Sequence, residues 1–459
     1  MPKVAGVDSS TQSVKIVVRD AQTGELLNSA SRPHPDGTEV DPAHWWSALQ
    51  GVIEDIGGLD DIDAIGIAGQ QHGMVVLDEG GDVIRPALLW NDTRSSQAAA
   101  SLNSEFENIH QLTGSKLVAA FTASKVRWLK DNEPENAARA RAITLPHDWL
   151  SWKLSGSNSI KDIFTDRSDA SGTGYFDSNS NSYIDEILMA ALGHNQVHLP
   201  RIVAPNEFGF DNGKLRISAG AGDNASGALG VGATLGDLVI SLGTSGTAFA
   251  VSDKQTHDVS GEVAGFADTT GNFLPLACTL NAAKVFDAVT NLLGISFDEF
   301  SKLALDADPG AGGITFLPHF DGERTPNKPD AQGNILGLTH KNFTSANVAR
   351  AAIEGVICGI AYAADQFEQL GVKTNRILLI GGAARNPAVQ QIAREIFGKD
   401  VHVPPPGEYV ADGAAKQAAW ALLKTTNPPL WGSGEFEKIP FSGNNPEVKT
   451  RYFDAIRSM

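Results

Sequence analysis

Only two cysteines, Cys278 and Cys358, occur in the 459 residues, both in apolar contexts and without metal-ligand spacing. That excludes a disulfide framework and a cysteine-based zinc site, and it reads as two small core residues in a reducing compartment. Basic residues are also scarce. Lys and Arg number 36 against 54 Asp and Glu, a net charge of −18, and no basic stretch stands out. Nucleic acid is therefore not an expected partner, and the excess of acid is read as solubility. No apolar run approaches the length of a membrane span. The first residues, "MPKVAGVDSS", lack the apolar segment of a secretory leader. The expectation is a cytoplasmic protein with no membrane partner. Several single-loop signatures are missing as well. There is no GxxxxGK[ST], no HExxH, and "GVGATLG" carries its third glycine one place late for dinucleotide binding.

What is present is the composition of a globular chain, 42% hydrophobic and 20% charged, too long for a single core. Two or three domains are expected. The pattern is α/β. "VAGVDSS" reads as a buried strand entering a Ser/Thr turn, and "SVKIVVRDAQTGELL" as two further strands around Thr23-Gly24. "DPAHWWSALQGVIEDI" reads as a helix with Asp41 as N-cap and Pro42 in the first turn. Ser345 is expected to cap a helix whose apolar face carries Val348, Ile353, Val356 and Ile360. "IDAIGIAGQQHGMVVLD" and "RILLIGG" are buried strands that run into polar and glycine turns.

An internal repeat organises these pieces. "VAGVDSSTQSVKIVVRD" and "DLVISLGTSGTAFAVSD" are each an apolar strand, a hydroxyl-rich turn, a second strand and an Asp, with Thr244 falling 233 residues after Thr11. Two such hairpins half a chain apart point to two domains of similar fold. Backbone N–H groups in tight Gly/Ser/Thr turns form anion-binding concavities, so two turns facing each other could grip a polyphosphate from both sides. Taken alone, each remains an ordinary hairpin turn. A further stretch, "AGAGDNASGALG" from Ala219 to Gly230, sets one acid, Asp223, among residues with almost no side chain. A helix cap explains the acid but not the stripped approach to it. A glycine cluster suggests that something comes close to the backbone.

With "GIAGQQHGMVVLD", "RPALLWNDTR", "FTASKVRWLKDN", "FLPHFDGERTPN" and "LLIGGAARNPAVQQI" in order along the chain, the sequence resembles the FGGY carbohydrate kinases of the actin, hexokinase and chaperone ATPase superfamily. The resemblance covers essentially the whole chain. Within that family "AGQQHG", "LLWND" and "GERTP" are most similar to the xylulose kinases. The resemblance implies two ribonuclease-H-like domains, here expected as residues 1–228 and 229–459, with ATP and sugar in the cleft between them. It implies ATP-dependent phosphorylation of D-xylulose to D-xylulose 5-phosphate, with another ketose or a polyol as the alternative acceptor. An actin- or chaperone-like ATPase is the rival from another class.

The site residues follow from the same resemblance. Asp223 is the expected general base, and Asn224 orients the sugar with Gln71 and His72. Asp8 is the expected Mg²⁺ ligand. Ser10 and Thr11, and Gly243 and Thr244, match the two phosphate turns. Gly381, Gly382, Asn386 and, more weakly supported, Asn281 match the adenosine site. Two departures concern the sugar. Gln71 stands where the similar xylulose kinases often carry Met, and Ala120 stands where glycerol-phosphorylating members carry Tyr. The segment "DRSDASGTG" is either another wall of the sugar site or a surface loop. A homodimer is compatible with the sequence, which carries no signal for or against it.

Overall fold

The computed structural model describes residues 1–431, 436–440, 443 and 445–459. Two seven-stranded sheets carry the chain. The first is built from β1 (Lys3–Ser9), β2 (Ser13–Asp20), β3 (Leu26–Pro33), β4 (Ala64–Gly69), β5 (Phe208–Asp211), β6 (Arg216–Ser218) and β7 (Ala221–Gly222). Its order is β5-β6-β4-β1-β2-β3, with β7 paired to the end of β4. The second comprises β8 (Asp237–Leu242), β9 (Gly246–Ala250), β10 (Ala264–Ala267), β11 (Phe273–Thr279), β12 (Arg376–Ile380), β13 (Val401–Val403) and β14 (Glu437–Ile439), in the order β10-β11-β9-β8-β12-β13-β14.

The repeat read from the sequence is a repeat of topology. β1 pairs antiparallel with β2 and parallel with β4. β8 pairs antiparallel with β9 and parallel with β12. The two hydroxyl-rich turns thus occupy the same place in the two sheets. Both parallel neighbours, β4 and β12, are unbroken apolar runs, as expected for strands covered on both faces.

Five helices position the site: α1 (Pro146–Ser155), α2 (Asp223–Val231), α3 (Ser345–Gln369), α4 (Pro387–Phe397) and α5 (Tyr409–Leu423). α3 has the length and composition to cross a membrane, but it is the buried core helix of the second half. Its N-cap is Thr344, whose hydroxyl accepts from the Asn347 amide, one residue before the expected Ser345. Asp41 caps the helix over Pro42–Asp55 as read from the sequence. The expected division between residues 228 and 229 falls inside α2.

α5 comes late in the chain yet lies on the first sheet. Its "VADGAAKQAA" face is almost bare of side chains, and that permits the approach. A Cβ on Gly6 would stand 2.0 Å from the Ala411 carbonyl oxygen, and one on Gly66 would stand 2.3 Å from that of Ala414. α5 also crosses α2 at the same close range. A Cβ on Gly413 would meet the Ser226 carbonyl oxygen at 1.8 Å, and one on Gly230 would meet that of Tyr409 at 1.8 Å. Polar bonds fix the crossing: Lys416 Nζ donates to Leu229 O at 2.9 Å, and Ser226 Oγ donates to Val410 O at 2.7 Å. Ala225, Ala228 and Val231 of α2 share a buried cluster with Val239, Phe249 and Leu378 of the second sheet. The crossed pair therefore joins the two halves.

Candidate active site

β1 and β4 run parallel, with Asp8 opposite Ala68, and Ala68 is in turn opposite Ala221 of β7. Three neighbouring strand ends therefore deliver their following residues to one place. β1 delivers Asp8 and the turn at Ser10. β4 delivers Gln70, Gln71 and His72. β7 delivers Asp223 as the first residue of α2, whose N-cap is Gly222. The sequence pattern suggests a start for α2 near Ala225. The observed start puts the acid on the helix itself, where it fills no capping role.

Asp8 and Asp223 line a single cavity of about 430 Å³ with Ser10, Asn224, Gly381 and Gly382. Burial is the first cause of the state of both acids. It raises Asp8 to about 6, against the lowering effect of the Ser10 hydroxyl that donates to it. It raises Asp223 to about 7, with the Asp8 charge adding to the effect. Asp223 Oδ1 accepts from the Asn224 backbone N–H at 2.7 Å and from Asn224 Nδ2 at 2.9 Å. Asn224 thus sits in the cavity with its amide turned toward the acid. Lys15 lines the same cavity, but its ammonium is bonded to Glu408 at 2.6 Å. A buried and a half-buried carboxylate facing one space, with the nearby ammonium engaged elsewhere, fit a divalent cation held by oxygen ligands.

Gln71 and His72 line neither cavity of the cleft; Gln71 lies against Gly222, the residue before Asp223. A Cβ on Gly222 would stand 2.7 Å from Gln71 Nε2, so the glycine before the acid exists to admit the Gln71 amide. Gln71 Nε2 donates to Ser168 O at 3.3 Å. His72 takes a left-handed φ of 70° and sets Nδ1 2.6 Å from Gly172 O. A carbonyl partner requires the proton on Nδ1, which leaves Nε2 as an acceptor. Burial drives the imidazole down to about 3, so it is neutral. Its ring packs between Phe121 and Phe266, with centroids 4.9 and 5.5 Å away.

A second, mostly apolar cavity of about 690 Å³ is lined by Gly243, Thr244, Phe286, Phe297, Gly382 and Asn386 among others. Gly382 and Arg385 line both cavities, so the two adjoin at these residues. Gly381 has φ 95°, and a Cβ there would stand 2.6 Å from Leu242 O; only glycine lets β12 end against β8 in this way. Asn386 Oδ1 caps α4, accepting from the Ala388 and Val389 amides, and it also accepts from Ser301 Oγ at 2.9 Å.

Like Gln71 and His72, the expected Thr11 and Asn281 line neither cavity. Thr11 turns its hydroxyl to Gln70 Oε1 at 3.4 Å and accepts from Trp90 Nε1 at 2.9 Å. Asn281 is buried and donates to Gly322 O at 2.8 Å and to Glu323 Oε2 at 3.0 Å, holding the "GERTP" loop and lining neither cavity. Sequence reasoning missed several charged neighbours. Lys125 is buried, brought down to about 7 by burial, and donates to Ala119 O at 2.8 Å. Arg324 acts electrostatically on both His72 and Lys125, although it lies far along the chain from either. No local pattern marks these contacts, because they arise between segments that only folding brings together.

Models of the N-terminal and C-terminal domains of the FGGY family of carbohydrate kinases match residues 4–230 and 238–422. The chain is 42% identical over 440 residues to a Streptomyces coelicolor protein named xylulose kinase, across 92% of this chain and 88% of that one. It is 33% identical over 450 residues to a Haemophilus influenzae protein of the same name, across 91% and 90%. The crystal structure of xylulose kinase from Bifidobacterium adolescentis superposes with a TM-score of 0.92 at 43% identity, covering 99% of both chains. The fold is that of the actin- and hexokinase-like kinases, two related α/β halves around a cleft. With both domain models matched in order and a cleft that carries the acids on one side and the glycine turns on the other, the chain belongs to the FGGY family of carbohydrate kinases.

Proposed function

We propose that the protein transfers the γ-phosphoryl group of ATP to the terminal hydroxyl of D-xylulose, giving D-xylulose 5-phosphate and ADP. The observation that carries the reading is the pair Asp8, buried, and Asp223, half-buried, on one cavity that adjoins an apolar pocket at Gly382. The relatives named xylulose kinase direct the choice of sugar. Asp223 accepts the proton of the attacking hydroxyl as its oxygen bonds to the γ-phosphorus and the bond to the β-phosphate oxygen breaks. A carboxyl raised to about 7 is a stronger base than an ordinary Asp and is matched to neutral pH. Asp8 would hold Mg²⁺, which when bound would supply charge neutralisation at the transferring group.

Gln71, neutral His72 and Asn224 orient the sugar, His72 accepting a hydrogen bond from a sugar hydroxyl at Nε2. The first turn, through Ser10 rather than Thr11, and the second at Gly243–Thr244 cradle phosphate from the two halves, residues 1–228 and 229–459. The adenosine lies in the apolar pocket against Gly381, Gly382 and the start of α4 at Asn386. Asn281 would act there only at one remove, through the loop it holds. Ala120 leaves room for a five-carbon chain, so glycerol is a poor acceptor. A site that hydrogen-bonds several hydroxyls discriminates strongly against substrates that leave its polar groups unpaired. The reaction belongs to the cytoplasm, where ATP is held.

The test is ADP release by the purified protein with Mg-ATP and a panel of ketoses and polyols. D-xylulose should give the highest kcat/KM, with glycerol far below. A tenfold preference for ribulose or a hexulose would move the substrate assignment. ADP release indifferent to every sugar would overturn the kinase reading in favour of an ATPase.

A further inference from the structure

The segment Asp166–Thr173, which the sequence alone does not place, lies under the sugar side of the cleft and is buried throughout. Its short helix (Arg167–Ala170) is capped by Asp166, which accepts from the Ser168 and Asp169 amides. Beyond its N–H bond to the capping Asp166, Ser168 holds three partners at once. Its hydroxyl oxygen accepts at 3.1 Å from the N–H of Gly222, the residue before Asp223. Its carbonyl accepts from Gln71 Nε2 at 3.3 Å and from Ser171 Oγ at 2.6 Å. Ser171 Oγ accepts in turn from the Ala267 N–H of β10, at 3.0 Å, across to the second half.

A buried ion pair lies beneath. His147, at the start of α1, is fully enclosed, with Nδ1 2.5 Å from Asp169 Oδ2 and 3.3 Å from Asp148 Oδ1. Burial would neutralise the ring, but Asp148, Asp169 and Asp166 outweigh it and keep the imidazolium. Its Nε2 donates to Ala219 O at 3.3 Å, and a Cβ on Gly220 would meet ring carbon Cδ2 at 2.4 Å. The turn that carries Asp223 therefore rests on His147 from below and is tied at Gly222 to Ser168.

We propose that Ser168 is a positioning residue that locks the Asp223 turn and the Gln71 amide into one unit, with the His147–Asp169 pair as its foundation. The proposal deepens the kinase reading and rests on it for its catalytic consequence. Ser168 touches no reacting atom; it acts through Gly222 and Gln71. Removing the hydroxyl leaves the Gly222 N–H buried without an acceptor, and the turn must shift to find one. A small displacement of a base or a substrate anchor is costly to rate even where binding of the other substrate is untouched.

The variants are Ser168→Ala and Ser168→Thr, the second keeping the hydroxyl, with His147→Lys and His147→Gln to test the foundation. In Ser168→Ala, kcat with D-xylulose should fall about tenfold or more and the sugar KM should rise, while the ATP KM stays within about twofold. Ser168→Thr should recover most of the loss, and His147→Lys should retain more activity than His147→Gln. Hydrogen exchange of the Gly222 amide in the unliganded protein tests the lock without any substrate; Ser168→Ala should exchange at least about tenfold faster. Unchanged exchange at Gly222 overturns the proposal, whatever the enzyme phosphorylates. So does a folded Ser168→Ala with wild-type kcat and sugar KM. If the wild-type protein phosphorylates no sugar, the kinase reading fails, and the exchange result still decides whether Ser168 locks the turn.

Discussion

Asp8 and Asp223 face the same cavity, and the charge of Asp8 is one of the causes that raise Asp223. Neither acid is bonded to a cationic side chain among the described residues. The pair is therefore costly when ionised, and its cost is recovered only when cation and substrates arrive. Three consequences concern the acids and the cleft they line, and a fourth concerns the helices that carry them.

Replacing the base should separate chemistry from binding. Asp223→Asn and Asp223→Ala should lose about 10²–10⁴-fold in kcat, the usual size of a general-base contribution. The ATP KM should change little, since the nucleotide pocket is built from other residues. Gly222 rather than Asp223 is the N-cap, so the variants forfeit only the bond from the Asn224 N–H, which the Asn variant can still accept through its amide oxygen. Steady-state kinetics on both variants checks this; an Asn variant that keeps more than about a tenth of wild-type kcat would remove Asp223 from the role.

The same substitutions should stabilise the unliganded protein at neutral and higher pH. Asp8 and Asp223 ionise near 3.8 when unfolded and near 6 and 7 when folded. Raised folded values mean that the native state holds protons the unfolded chain has lost. The contribution of these groups is then fully present below pH 3.8 and lost as pH rises through 6 and 7. Each tenfold difference in proton affinity between folded and unfolded chain corresponds to about 1.4 kcal/mol. In chelator-treated protein at pH 8, Asp223→Asn should therefore melt above wild type, and the gain should vanish near pH 4. Mg²⁺ should raise the wild-type Tm at pH 8 and much less at pH 5. Differential scanning calorimetry across pH, with and without Mg²⁺, reads both effects.

Ligands should close the cleft. The two hydroxyl-rich turns belong to different sheets, so gripping one polyphosphate between them would draw the halves together and exclude water. Small-angle scattering should show a smaller radius of gyration with D-xylulose and a non-hydrolysable ATP analogue than without them. Unchanged dimensions, with both ligands shown to bind, would mean that the cleft is preformed.

The helix crossing should tolerate no added atom. Gly413→Ala would place a methyl 1.8 Å from the Ser226 carbonyl oxygen, a backbone atom that cannot move aside alone. α2 and α5 must separate, and the penalty should reach the roughly 1–3 kcal/mol of an overpacked core site. Gly227→Ala, whose nearest neighbour would be the Val410 side chain at 3.6 Å, should be nearly neutral. Urea denaturation of the two variants makes the comparison; equal stability would mean that the crossing is looser than its geometry.

Much of this was legible in the chain itself. Apolar runs of strand length, hydroxyl-rich turns and the Thr11–Thr244 spacing carry the doubled sheet topology, because strand pairing follows local patterning and short connections. "AGAGDNASGALG" carries a lone acid in a side-chain-free bed for the same reason: the backbone needs of a site are written locally. The partners of that acid are not. Asp8 bears on Asp223 from more than two hundred positions away, α5 lies on the sheet of the other half, and Ser168 ties Gly222 to Gln71 from a segment that reads equally well as a surface loop. Burial, which sets the proton affinities of Asp8, Asp223, His72 and Lys125, belongs to the packed whole. Periodicity determines which residues form strands and turns, but which charges share a dry cavity is decided only when distant segments pack, since desolvation and Coulomb interaction depend on distance in space.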